Sequence, residues 1–463
     1  MADLEVRGVL DELLVGLAEP LRLAVVGRVK AGKSTLVNAL IGRRVAPTAA
    51  GECTRVVTWY RYGSPDRAEV VLRDGARVPL RLDGRRLPEQ LGVPLEDVSR
   101  VVVHLQAGAL RDLTLIDTPG LATLTEENEA AARAAVLGQE CSKYATGDAD
   151  ALLYVVRESE RADDIAFLHD FAAASGSLTA SAVNTLGVLS QADLFNAQDP
   201  MGAAQRTARR IASTSPGQFG GVVAVSGLLA QSARAGQVSE TVAAALASLD
   251  GVADAILPAW QSLDVSGLDK AAAAQAFSVV GPYGLLRGRG PARQGATSLR
   301  RWCEEASGIR DLEEVLEGTM VPRAHLIKAS RTLGQLSRLG RRVGCQRVLD
   351  LVEEVELDPV MHPIAELRAL HDLLGTAPES AQRPRLEALL AGLPAWQVLG
   401  LPEAPDRAGS GLAPDAREAA SRARADASLA VTPAVAAAAT VLARSYQILA
   451  HHLEARRGPA DPT

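Results

Sequence analysis

The octapeptide Gly27-Arg28-Val29-Lys30-Ala31-Gly32-Lys33-Ser34 constrains this chain more than any other feature, because it satisfies G-x-x-x-x-G-K-[ST] between the right neighbours. Before it, LRLAVVG (21–27) is a short apolar run ending in glycine, the mark of a buried strand. After it, TLVNALIG reads as a helix. A glycine-rich turn between strand and helix points several backbone N–H groups, and the positive end of a helix dipole, at one spot. That spot suits a polyphosphate. The expected phosphate contacts are Gly27, Lys30, Ala31, Gly32 and Thr35, with Lys33 reaching the β- and γ-phosphates and the Ser34 hydroxyl ligating Mg²⁺.

A loop of this kind needs a sheet behind it, and the following residues supply one. Strand-like runs at 55–62, 68–74, 100–105, 113–117, 151–156, 184–190 and 221–226 alternate with helical stretches. Such alternation predicts an α/β fold with a mostly parallel sheet covered on both faces. Past residue 235 the strand signals stop, and helices follow, broken at Gly281-Pro282, Asp358-Pro359, His362-Pro363 and Leu401-Pro402. Residues 402–433, rich in Ala, Pro, Asp, Arg, Gly and Ser, read as a loop or loosely held segment. The expected division is an N-terminal helix (1–19), a nucleotide-binding domain (20–250) and an all-helical region (251–463).

Four further elements fall at strand ends. Asp117-Thr118-Pro119-Gly120 follows the apolar LTLI, where an Asp can join a Mg²⁺ shell and Gly120 can offer its amide to a γ-phosphate. Gly51-Glu52-Cys53-Thr54-Arg55 lies between the first helix of the domain and the next strand. There Thr54 can complete the Mg²⁺ shell and sense the γ-phosphate. Ser190-Gln191-Ala192-Asp193 stands where guanine-binding proteins keep [NT]-K-x-D. Asp193 can accept two hydrogen bonds from a guanine edge, and Gln191 replaces the expected Lys, which weakens stacking on the base. Val225-Ser226-Gly227 ends the last strand, and its backbone can contact the guanine oxygen. The set points to GTP as the nucleotide and GDP as the product.

Composition narrows the classes. A net charge of −6 over 463 residues gives no general attraction to nucleic acid. Cys53, Cys141, Cys303 and Cys345 show no paired spacing, so reduced thiols are expected. Residues 1–19 lack the basic start and apolar core of a signal peptide, and no apolar run reaches the length of a membrane span. A cytoplasmic protein is expected.

With those motifs in hand the chain resembles the dynamin superfamily, and within it the actinobacterial dynamin-like proteins of the isoniazid-inducible operon type. The residues that carry the resemblance are EPLRLAVVGRVKAGKSTLVNALIGRRVAPTAAGECTRVVTWYRY (19–62) and VSGLLA (225–230). It covers roughly the first half; the helical half matches in length and character. The resemblance implies a GTPase domain joined by a helical neck, including residues 1–19, to a helical trunk. It further implies self-association through the GTPase domain and remodelling of membranes at the inner face of the cell membrane. Carried over residue by residue, Lys33, Ser34, Thr54, Asp117, Gly120, Asp193 and Ser226 keep the roles above. Dynamins place at the position of Lys30 a residue that helps hold a monovalent cation. Lys30 would bring its own positive charge to that place. No glutamine follows Gly120; Leu121 stands there. Water positioning then falls to backbone and switch residues completed by dimerisation. Two other readings are a regulatory GTPase switch of the Era type and a poorly hydrolysing partner of a second dynamin-like GTPase, the latter suggested by Gln191.

One local feature bears on membranes. Residues 284–347 hold thirteen basic residues against six acidic, including a basic amphipathic helix at 323–347 and the sequence Tyr283-Gly284-Leu285-Leu286-Arg287-Gly288-Arg289. Leu285 and Leu286 beside arginines are the expected contact with an anionic membrane surface. A solvated face paired with acidic helices such as 349–357 has the same composition.

Overall fold

A computed structural model describes residues 2–47, 55–84, 86–119, 148–157, 184–214, 218–254, 261, 269–402 and 409–455. Nine strands form one sheet: β1 Leu21–Gly27, β2 Thr58–Tyr62, β3 Arg67–Leu72, β4 Arg77–Leu80, β5 Val98–Leu105, β6 Leu113–Asp117, β7 Ala151–Val156, β8 Thr185–Ser190 and β9 Val222–Val225. Their order is β4-β3-β5-β2-β6-β1-β7-β8-β9. The β6-β1-β7-β8-β9 half is parallel throughout, with Leu23 opposite both Leu115 and Ala151. Antiparallel pairing is confined to β2 with β6, β3 with β5 and β3 with β4.

The period-2 geometry of a strand divides its side chains between two cores. Leu21, Leu23 and Val25 of β1 join Leu153 and Val155 of β7 on one face, with helix α2 (Lys33–Ile41) over them. Ala24 and Val26 join Leu152, Tyr154 and Val156 on the other, under helix α3 (Pro200–Thr214). Burial on both faces is why these strands read as continuous apolar runs. The strands anticipated from sequence are present with ends shifted by up to three residues. β4 was not anticipated: Arg77–Leu80 is only four residues long and contains Pro79, tolerated because the strand is at the sheet edge.

The first helix, α1 (Ala2–Ala18), stops just before Pro20. The helices after β9 are α4 Gly227–Arg234, α5 Glu240–Ala247, α6 Lys270–Arg287, α7 Ala296–Ala306, α8 Ile309–Val315, α9 Ala324–Val343, α10 Gln346–Leu357, α11 His362–Thr376, α12 Arg383–Leu390, α13 Ala413–Leu429 and α14 Pro433–Ala455, with shorter helical turns between some of them. Many of them return to the sheet. Gly308 lies so close to the Ala224 carbonyl that a Cβ there would sit 2.2 Å from the oxygen, and Ile309, Leu312 and Leu316 then enter the main core. α6 breaks at Gly281 (φ 65°, ψ −171°) and Pro282, as the Gly-Pro doublet predicts. Pro363 breaks nothing: it lies in the first turn of α11, where its missing N–H costs little.

Two expectations are corrected. Most of the segment 402–433 is not a loop, since α13 spans Ala413–Leu429. Its Ala416, Ala420 and Ala423 are small enough to bring it close to neighbouring helices such as α14. Alanine there is a packing residue, which a composition argument reads as low complexity. The supposed membrane contact also fails, because Leu285 is 1% exposed within the core of α4, α5, α6 and α7. Arg289 is buried too, donating to the carbonyls of Leu249 and Val252 and pairing with Asp254. The basic helix exists as α9, but Lys328 and Arg331 turn inward.

Candidate nucleotide site

The P-loop leaves β1 at Gly27, where a Cβ would sit 2.5 Å from the Val155 carbonyl of β7; only glycine permits that approach. Gly32 (φ 90°) turns the chain into α2. Lys33, buried, folds its Nζ back over the loop and donates to the carbonyls of Gly27 and Arg28, both at 3.0 Å. Burial lowers its pKa, while the Asp117 carboxylate works against that. Asp117 closes β6, in register with Val25. Its Oδ2 accepts from the Ser34 hydroxyl at 2.9 Å, and its buried Oδ1 has no hydrogen-bond partner among the described residues. Burial raises this carboxyl to about 6 against the pull of Lys33 and Ser34. A hydroxyl beside a buried carboxylate oxygen with no donor is a donor set that fits a hard cation such as Mg²⁺. Thr118 anchors the turn by donating to the Val25 carbonyl at 2.9 Å.

The end of β8 approaches the same loop. Gln191 Nε2 donates to the Lys30 carbonyl at 3.3 Å, and Lys30 stands exposed at the crest. Among the described residues these two are the non-glycines with positive φ, 61° for Lys30 and 54° for Gln191. Left-handed backbone costs a β-carbon residue free energy, so the bond joins two strained turns. Asp193 is buried; burial raises its pKa, opposed by a hydrogen bond with Ser226. Ser226 caps α4, accepting from Leu229 N, and gives its own N–H to the Ser307 carbonyl. A Cβ on Gly227 would lie 3.4 Å from Thr35 Cγ2, so α4 begins against the start of α2.

The residues predicted from sequence therefore gather at the carboxyl ends of the strands around β1, the crevice where parallel sheets bind ligands. Lys33, Ser34 and Asp117 form one cluster, Lys30 and Gln191 a second, and Asp193, Ser226 and Gly227 a third. Thr54 and Gly120 lie outside the described residues. Sequence reading missed Asn38, whose amide donates to Ala46 O and Gln231 Oε1 while its oxygen accepts from the N–H groups of Val45 and Ala46. An Asn inside the apolar TLVNALIG was the available signal. It missed as well that Gly281, at the kink of α6, lies against Asp193, with a Cβ 3.8 Å from Oδ2.

Comparison with known proteins agrees with this geometry. Residues 23–192 match the family model described as Dynamin family. Over those residues the chain is dynamin-like. It is 36% identical over 242 residues to the isoniazid-induced protein IniC of Mycobacterium tuberculosis, across 50% of this chain and 48% of that protein. It is 30% identical over 154 residues to a bacterial dynamin-like protein of Nostoc punctiforme, across 30% of this chain and 20% of that one. Dynamin-like protein 2 of Campylobacter jejuni is 27% identical over 112 residues, 24% and 18% of the two chains. The chain thus spans about half the length of IniC or less of these relatives. A solved structure described as an oligomerised bacterial dynamin pair aligns with a TM-score of 0.41 at 12% identity, across 92% of this chain and 51% of that one. The dynamin-like resemblance read from 19–62 and 225–230 is borne out.

Proposed function

We propose that this chain binds GTP with Mg²⁺, hydrolyses it to GDP, and couples the cycle to self-association and to work at an anionic membrane surface, as a peripheral protein of the cytoplasmic face. The observation that carries the reading is the convergence of Lys33, Ser34 and Asp117 beside Asp193 and Ser226 at one end of the sheet. Lys33 exchanges its two loop carbonyls for phosphate oxygens on binding. Ser34, Thr54 and Asp117 would hold Mg²⁺, which would supply positive charge to offset the charge of the phosphates. Asp193 accepts from the guanine edge, and Ser226 and Gly227 border the base. Gly120 offers its N–H to the γ-phosphate, and Lys30, at the crest, adds a cation in cis near the site of developing charge.

Membrane attachment is assigned to a different place from the buried Leu285. Leu429 is 81% and Val431 97% exposed at the turn between α13 and α14. Two large apolar side chains at such a turn contribute roughly 1.5–3 kcal/mol each when they leave water. Among the described residues no helix is long and apolar enough to cross a membrane. GTP turnover measured at several protein concentrations, with and without anionic vesicles, tests the proposal. Turnover that rises with concentration and with vesicles is expected. Turnover that ignores both removes the coupling, and equal affinity for ATP and GTP reassigns the nucleotide.

A further inference from the structure

Behind the turn that carries Asp193 stands the kink of α6. Gly281 there has φ 65° and ψ −171°, a backbone conformation that belongs to glycine. It faces two side chains: a Cβ on it would sit 2.9 Å from Leu228 Cδ2 and 3.8 Å from Asp193 Oδ2. A Cβ on Gly284 would lie 2.3 Å from Val280 Cβ, so the chain closes tightly on itself across the break. The second half of α6 then reaches the far end of the segment that begins at Gln191. Tyr283 and Phe195 both pack against the core under α3, and Tyr283 also stacks on Trp302 of α7, with ring centroids 5.9 Å apart. Arg287, exposed, donates to the Gln198 carbonyl at 3.1 Å, just before Asp199 caps α3 by accepting from the Gly202 N–H. Residues of α6 therefore touch the segment 191–199 near both of its ends.

That segment is built from short-range structure: Gln191 is left-handed (φ 54°), and Ala192–Leu194 is a single 3₁₀ turn, the tight and poorly bonded kind of helix. A carboxylate that must accept two parallel donors from a base edge tolerates little displacement, because hydrogen bonds weaken steeply with angle. The other segment beside the base is held in a similar way, with the Ser226 N–H given to the Ser307 carbonyl at the junction of α7 and α8. We propose that the kinked half of α6 is a positioning element for base recognition: Gly281 leaves room for the Asp193 carboxylate, and Arg287 ties down the far end of the same loop. Guanine preference then depends on residues outside the nucleotide motifs, whereas phosphate binding at the P-loop does not. The inference rests on Asp193 being the guanine acceptor.

The test measures affinities for GTP, ITP and ATP with Mg²⁺, by competition, in the full chain and in Gly281→Ala, Arg287→Ala and Arg287→Lys. Hypoxanthine lacks the guanine amino group, and adenine offers neither donor to Asp193, so these nucleotides share their phosphates and differ at that carboxylate. In Gly281→Ala, GTP affinity should fall about tenfold, the equivalent of one charge-assisted hydrogen bond, ITP affinity less, and ATP affinity by under about twofold. Arg287→Ala should show the same pattern at about threefold, and Arg287→Lys should restore most of it, since an ammonium also donates to a carbonyl. The GTP-to-ATP ratio is the deciding readout, because a merely structural role would weaken all of the nucleotides together. Should Gly281→Ala not fold, the exposed Arg287 pair decides alone. A parallel loss for every nucleotide, or an unchanged ratio in the folded variants, overturns the role of α6. An unaltered chain that binds GTP and ATP equally overturns the guanine reading itself, and the role of α6 with it.

Discussion

Asp150→Ala is the sharpest test of how the two parts of the chain are joined. The carboxylate is 5% exposed and faces Arg331 (9%) and Lys328 (5%), both from α9, as well as the Arg22 N–H at the start of β1. Removing one partner of a buried ion pair typically costs 3–5 kcal/mol, because the surviving charge is stranded away from water. Here the survivors keep other acceptors: Arg331 still donates to the Asp148 carbonyl, and Lys328 to Gly16 and Glu19. The lower end, about 3 kcal/mol, is therefore expected. For a cooperative unit of about 150–250 residues that is a fall of roughly 6–12 °C in melting temperature. Calorimetry should record it, and hydrogen exchange should show α9 losing protection first. Adding Lys328→Met and Arg331→Met should recover part of the loss, since no charge is then stranded. GTP affinity should not change, because Asp150 is at the far end of β7. A loss under about 1 kcal/mol would mean that the network is hydrated and does not hold the joint.

Asp193→Asn should lower GTP affinity and shift preference toward xanthine nucleotides, checked by competitive titration; unaltered selectivity would remove Asp193 from base recognition. Leu429→Ser with Val431→Ser should reduce flotation with anionic vesicles and leave turnover in solution unaltered; unchanged flotation would move the membrane contact elsewhere. In the helical bundle His362 bonds to Ser445 at 2.9 Å beside Glu366, and burial, with Arg444, holds the imidazole below its usual range. A histidine depressed in the folded state contributes stability above its unfolded pKa of about 6.5 that is lost as pH falls below it. Glu366, raised by burial, has the opposite sign, costing stability at neutral pH and less as pH falls. Melting followed from about pH 7 to about pH 5.5 should therefore drop less in His362→Gln than in the unaltered chain and more in Glu366→Gln; identical slopes in all three would contradict the assignment.

The parallel half of the sheet was legible because strands buried on both faces leave uninterrupted apolar runs, as in ALLYVV and TLGVLS. The site was legible because phosphate binding demands Gly27, Gly32, Lys33 and Ser34 at set spacing. What sequence could not convey was pairing across distance. Asp150, Lys328 and Arg331 look like ordinary surface charges until the fold buries them together, and α9 accordingly read as a basic outer face. Leu285 beside arginines read as a membrane contact for the same reason: the partners that bury it, on α4, α5 and α7, are fixed only in three dimensions. Gln191 read as a weakened base contact, whereas its side chain reaches the crest of the P-loop at Lys30.

The account stands or falls on whether the cluster of Lys33, Ser34 and Asp117 is a working triphosphate site. The most direct measurement is GTP binding and single-turnover hydrolysis with Mg²⁺ in the unaltered chain and in Lys33→Ala, with folding of both checked by circular dichroism. We predict Mg²⁺-dependent binding and release of phosphate from GTP in the first, and neither in the second despite an unchanged spectrum. GTP affinity that survives loss of Lys33, or its absence from the unaltered chain, would contradict the central claim.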